Sequence, residues 1–132
     1  MGNKVVFLFG EAERGAFCTP LRIESLAELA DRCGNPPEGS LGIAYGVQAL
    51  LFERELFFYR VKEEGFSLSD YMRGMRALED GKVVQELAAI CLPGVGNQEI
   101  IEAAGNVCLQ RGSFLIASEK DLYDYLTDRP FL

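Results

Sequence analysis

Four apolar runs recur along the chain, and none alternates polar with apolar residues: Lys4-Val-Val-Phe-Leu-Phe9, Leu56-Phe-Phe-Tyr-Arg-Val61, Leu87-Ala-Ala-Ile-Cys-Leu92 and Ser113 to Ala117. A strand with one wet face shows a period of two, so runs of this kind predict strands covered on both faces. That requirement selects a mainly parallel sheet with helices on either side of it. Parallel strands also need long crossovers, and the segments between the runs carry helical signals.

Thr19-Pro20 offers an N-cap and a proline at the first helical position, after which Leu26, Leu29, Ala30 and Cys33 recur at helical spacing as far as Gly34. Leu41 to Phe52 reads either as a helix containing Gly42 and Gly46 or as a strand paired with Glu55 to Val61. The helix is favoured because Glu53-Arg54 lacks the Asn-Gly or Gly-X chemistry of a two-residue hairpin turn. Ser67-Leu-Ser-Asp70 has the form of a capping box, and Leu68, Tyr71, Met72, Met75 and Leu78 trace one face of the helix it would open. Asn97 precedes a helix with Ile100, Ile101, Ala104, Val107 and Cys108 on one face, and Ser118 caps a terminal helix through Leu126.

The expectation is an α/β fold: one Rossmann-like three-layer domain over residues 1–132, with four or more mainly parallel strands. A chain of 132 residues, 48% of them hydrophobic, fits one domain with its own core.

Thirteen Lys and Arg against 20 Asp and Glu give a net charge of −7, with no cluster of basic residues. Tracking a nucleic-acid backbone needs a basic stripe, so no nucleic-acid partner is expected. Histidine is absent, which removes the commonest general base and metal ligand together with every Ser-His or Cys-His pair. No CxxC occurs among Cys18, Cys33, Cys91 and Cys108, and neither a metal nor a cofactor is expected. Val5 to Phe9 is too short for a signal peptide, Val6 breaks the myristoylation pattern, and no run approaches the ~18–20 apolar residues of a membrane span. The chain therefore reads as cytoplasmic, without a membrane partner and with reduced cysteines.

Ligands of open α/β sheets bind where strands turn into helices, so the residues just past each strand are the candidates. Gly10 ends the first strand, and Glu11, Glu13, Arg14 and Cys18 follow it. Gly39-Ser-Leu-Gly42, with Gly46 beyond, opens the second helix; these glycines either admit a phosphate or allow close helix packing. Leu92-Pro-Gly-Val-Gly-Asn-Gln-Glu99 puts Gly94 and Gly96 between a strand and a helix, where backbone N–H groups meet an anion unobstructed or simply make a tight turn capped by Asn97. Arg14, Arg73 and Arg76 are the candidate cations for a phosphorylated ligand. Without a histidine beside it Cys18 is a poor nucleophile, and the other three cysteines read as core.

The turn from Leu92 to Glu99 resembles the Pro-Gly-Gly-x-Gly-Thr-x-Glu motif of the SLOG superfamily, which includes the LOG-type nucleoside monophosphate phosphoribohydrolases once called lysine decarboxylase-like. Asp70-Tyr-Met-Arg-Gly-Met-Arg76 is similar to the Met- and Arg-containing helix that precedes that motif, and Gly39 to Gly46 is similar to the family's glycine-rich turn. This chain has one glycine fewer in the motif and Asn97 in place of Thr. The resemblance implies a pocket for a nucleotide or its ribose phosphate, formed by Gly10, Gly39, Gly42, Gly94, Gly96 and Asn97. It further implies that Arg76 positions the phosphate and Glu99 helps to cleave the N-glycosidic bond. The functional expectation is a domain that binds a nucleotide-derived phosphorylated ligand, with turnover left open. The alternative is a non-enzymatic interaction module or a homo-oligomeric scaffold, and convergence of Gly10, Gly39, Gly94 and Arg76 on one pocket separates the two.

Overall fold

Every residue of Val5–Gly10 is buried, as a continuous apolar strand requires. In this computed structural model residues 5–127 are described; Lys4, with which the first apolar run begins, lies outside them. The elements are β1 (Val5–Gly10), β2 (Leu21–Ile23), α1 (Leu26–Cys33), α2 (Gly42–Leu51), β3 (Glu55–Arg60), α3 (Leu68–Glu79), β4 (Leu87–Cys91), α4 (Gln98–Arg111), β5 (Phe114–Ile116) and α5 (Glu119–Thr127).

The chain is α/β, with one five-stranded sheet in the order β2-β3-β1-β4-β5 among the described residues. β1 pairs in parallel with both β3 and β4, and β5 is parallel to β4. Only β2 is antiparallel, laid along β3 with Leu21 opposite Phe58 and Ile23 opposite Leu56.

The pleat of β1 sends its side chains to two separate cores. Phe7 and Phe9 pack with Tyr59, Ile90 and residues of α3 and α4, including Tyr71, Met75, Ile100 and Val107. Val6 and Leu8 pack with Leu56, Phe58, Ala89 and residues of α1, α2 and α5, including Leu29, Ile43 and Leu122. The expected faces of α3 and α4 are the buried ones, and the ambiguous segment from Leu41 to Phe52 is helical.

Two expectations at element starts are corrected. Thr19-Pro20 opens no helix: Leu21–Ile23 is strand β2, and Ser25 caps α1 by accepting the Glu28 N–H at 3.0 Å. Three residues, of which only Ile23 is buried, are too few to show a period, and the pairing surface of β3 decides their conformation. The capping box at Ser67 is also absent. Its hydroxyl bonds instead to Glu63, and the Asp70 carboxylate accepts the Lys62 N–H at 2.9 Å. Asn97 and Ser118 do cap α4 and α5.

An aromatic cluster joins α3 to the sheet. Phe9 stacks on Tyr71 with centroids 5.2 Å apart and meets Tyr59 at 4.9 Å, while Phe7 lies 5.2 Å from Phe9. Each such pair contributes about 0.5–1.5 kcal/mol beyond its buried area. Gly74 is what allows the approach, because a Cβ there would strike the Phe9 ring and crowd Tyr59. Gly74→Ala therefore gains roughly 1 kcal/mol of helix propensity but loses about 1–3 kcal/mol to overpacking, and urea unfolding should report a net loss. The same change at Gly105 in α4, where a Cβ meets nothing within 4 Å, should raise stability by about 0.5–1 kcal/mol.

Candidate functional site

After β1 the chain turns toward the face covered by α1 and α2, and after β4 it turns toward α4 on the other face. The loops that follow two neighbouring strands thus part, which is where open α/β sheets hold ligands. Gly10 and Gly42 lie in backbone contact here: a Cβ on Gly10 would sit 2.8 Å from the Gly42 Cα, so only glycine fits at either position.

Glu64, on the loop after β3, reaches into this junction. Its Oε1 accepts the N–H groups of Glu11 at 2.9 Å and Gly42 at 3.1 Å, and its Oε2 accepts the Leu41 N–H at 2.6 Å. In return the Glu64 N–H donates to Glu11 Oε2 at 2.8 Å. Helix α2 has no side-chain cap of its own, so Glu64 supplies one from a distant loop. Burial raises the Glu64 carboxyl above its ordinary value, against the pull of the three N–H donors, and the neighbouring Glu11 raises it further.

The turn after β4 closes the other side. Gly94 adopts φ +77, a left-handed conformation suited to glycine, and its Cβ position lies 3.9 Å from Glu64 Oε2. Gly65, at φ +91, packs against the Gly94 carbonyl so tightly that a Cβ there would collide with it. Its N–H donates to the buried Tyr71 hydroxyl at 2.7 Å, which ties the loop carrying Glu64 to α3. Gly96 faces open space and Asn97 Oδ1 accepts the N–H groups of Glu99 and Ile100. The N–H groups of Gly96, Asn97 and Gln98 have no acceptor among the described residues.

Gly10, Gly42 and Gly94 therefore meet around Glu64, with Gly96, Asn97 and the exposed Glu99 on the adjoining turn and helix start. Gly39 is not part of this group: at φ +82 it sits in the turn in which Ser40 N–H donates to the Pro37 carbonyl, facing open space. Arg76 is exposed in the last turn of α3, about 12 Å along the axis from the end that starts beside the strand termini. Of the other two candidate cations, Arg14 is engaged with the carbonyls of Asp31 and Ala30 at the end of α1, whereas Arg73 acts on Cys18 and Tyr59 near the end of β3. Glu13 accepts the Asn35 N–H and so belongs to the same helix end as Arg14.

Cys18 has φ 54, donates its N–H to the Arg60 carbonyl at 2.9 Å, and lies within hydrogen-bonding reach of Tyr59 and Asp70. Burial and the Asp70 charge push its thiol up, so it is a weak nucleophile. Burial also raises Cys33 and pushes Cys108 up to about 11. Among the described residues no group of three or more His, Cys, Asp or Glu is placed to hold a metal ion, and no helix is long and apolar enough to cross a membrane.

Sequence reasoning did not single out Glu64. The signal available was Glu63-Glu64-Gly65, two acidic residues and a glycine directly after a buried strand, in the position from which a side chain reaches the crevice. The sequence matches no family profile, no curated protein and no solved structure.

Glu64→Ala leaves three N–H groups without their acceptor and should lower stability by about 1–3 kcal/mol in urea unfolding. A carboxyl whose folded pKa lies above its unfolded value stabilises fully below the unfolded value and loses that contribution as pH rises through the folded one. The gap between wild type and Glu64→Ala should therefore widen as pH falls from neutrality toward the ordinary carboxylate range. For the cysteines, a short iodoacetamide pulse read by mass mapping should label half-exposed Cys18 first, slowly, and leave buried Cys33, Cys91 and Cys108 intact.

Proposed function

We propose that the crevice above β1 and β4 binds a small phosphorylated ligand of the nucleotide class. Of the four residues whose convergence separates the two readings only Gly10 and Gly94 meet, while Gly39 and Arg76 stand apart. What supports the binding reading is that Gly42 joins those two around the Glu64 carboxylate where the two loops part. The N–H groups of Gly96, Asn97 and Gln98, without an acceptor among the described residues and at the start of the long helix α4, suit a phosphate. Glu11, whose Oε1 has no bond among the described residues, offers an acceptor of the kind that ribose hydroxyls bond to.

This reading takes the chain as a single Rossmann-like, SLOG-like domain. The parallel strands flanking β1, the two apolar cores on opposite sides of the sheet, and the turn from Leu92 to Glu99 support it. Four free cysteines fit a reducing, cytoplasmic setting. Glu99 stands on the same helix start as the unpaired N–H groups, whereas Arg76 stands two turns of α3 away from the crevice, so the reading is binding rather than hydrolysis. A second reading, a homo-oligomeric scaffold or interaction module, draws on Leu109 and Phe114, 84% and 65% exposed on the adjoining α4 and β5.

Thermal shift against AMP, ADP-ribose, NAD, cyclic nucleotides and ribose phosphate tests the first reading. A ligand at a hundredfold excess over its Kd stabilises the native state by about 2.7 kcal/mol, which raises the melting temperature by several degrees. Gly96→Ala should fold as well as wild type, since its Cβ meets nothing within 4 Å, yet weaken the bound ligand about tenfold by blocking the backbone approach. Arg76→Ala should leave affinity unchanged. A flat response across the panel, with a dimer seen by sedimentation, favours the second reading.

A further inference from the structure

A groove of about 350 Å³ lies between α2 and α5, on the outer side of the sheet face that these helices cover. Its volume is within the range of small-molecule sites, roughly 300–1,000 Å³. Both helices start at the carboxyl edge of the parallel strands and end at the amino edge, so they run side by side in the same direction. Arg54 fixes the far ends together, because its guanidinium donates to the carbonyls of Tyr125 and Leu126 and lies over the Tyr125 ring.

The two ends of the groove differ chemically. Near the helix starts it is lined by Tyr45, Glu119 and Tyr123; near the helix ends, by Phe52 and Leu126. Tyr45 is only 7% exposed, yet its hydroxyl has no hydrogen-bond partner among the described residues and is not sealed from solvent. A buried phenol normally finds a partner, and one left open beside a cavity needs it from outside the chain. Among the described residues Glu119 is the one charged residue lining the groove, and it has no ion pair there. Burial raises the Tyr45 phenol, and the Glu119 charge, on the same groove, raises it further. Tyr123, one turn along α5 from Glu119, is 64% exposed and adds a second aromatic residue to the lining.

We infer that this groove is a second binding site, distinct from the crevice, for a small amphipathic amine whose cationic head lies between Tyr45, Glu119 and Tyr123 and whose apolar tail runs toward Phe52 and Leu126. The Glu119 carboxylate attracts an ammonium group by charge, the open Tyr45 hydroxyl accepts a hydrogen bond from it, and the exposed Tyr123 ring adds the attraction of its negative face. The positive ends of α2 and α5 lie at this end of the groove, but Glu64 meets the first and Glu119 and Asp121 the second. With a net charge of −7 the balance favours a cation, while Glu119 repels an anionic head.

NMR titration of the full chain with n-hexylamine, n-hexanol and hexanoate tests this, since the three share a tail and differ in the charge of the head. Hexylamine should give saturable shifts at Ala44, Leu122 and Leu126, with affinity about tenfold above that of hexanol and higher still above hexanoate. Glu119→Gln, a surface change, should bring hexylamine down to the affinity of hexanol and leave hexanol unaltered. Tyr45→Phe should weaken hexylamine several-fold, and added salt should narrow the difference between amine and alcohol. The inference is overturned by equal affinity for the amine and the carboxylate, by shifts confined to other surfaces, or by the absence of saturable shifts with all three probes.

Discussion

The Glu64 carboxylate is the contact on which the arrangement of the loops depends. It gathers three backbone N–H groups from two segments that follow β1, and its own N–H returns a bond to Glu11. Each donor to a charged acceptor contributes about 1.5–3 kcal/mol, which is opposed by the cost of taking the carboxylate out of water. The raised carboxyl pKa reflects that balance: burial outweighs the bonds in setting protonation, while the geometry depends on the bonds. Without this acceptor α2 would begin with unsatisfied donors, and the end of β1 would keep only the Val61 N–H on the Gly10 carbonyl and the Glu64 N–H on Glu11 to hold it against the loop after β3.

A second layer of contacts makes that loop rigid enough to act as such a clamp. Tyr71 accepts the Gly65 N–H, Tyr59 donates to the Asp70 carbonyl at 3.0 Å, and both rings belong to the aromatic cluster around Phe9. Packing and polar satisfaction thus reinforce each other: the rings are buried because α3 sits close at Gly74, and their hydroxyls are spent on the backbone that carries Glu64 and starts α3. A crevice built on such a base presents its open N–H groups without first having to order them, which favours binding.

Helix α2 belongs to both regions that the structure leaves open. The Leu41 N–H is held by Glu64 at the crevice, while the Leu41 side chain lines the groove against α5. The start of this one helix therefore borders both regions at the same residue.

Much of the fold was legible in the sequence because burial leaves a periodic trace. The unbroken apolar runs identified β1, β3, β4 and β5, although only β1 and β4 are buried throughout and edge strand β5 leaves Phe114 exposed. The three- and four-residue spacings identified the buried faces of α3 and α4. Asn97 and Ser118 were legible as caps because a cap is a local bond between near neighbours. β2 and the partners of Ser67 were not, since three residues have no period and a hydroxyl chooses among acceptors by distance in space. The glycines of the crevice were visible as glycines, but only the tertiary structure decided that Gly10, Gly42 and Gly94 meet while Gly39 and Arg76 stand apart. Glu64 lies 53 residues from Glu11 and 22 from Gly42, and the groove joins helices from different halves of the chain. Contacts at such separations are set by strand order and helix direction, which local sequence does not encode, and those decided where the charges and the open surfaces come together.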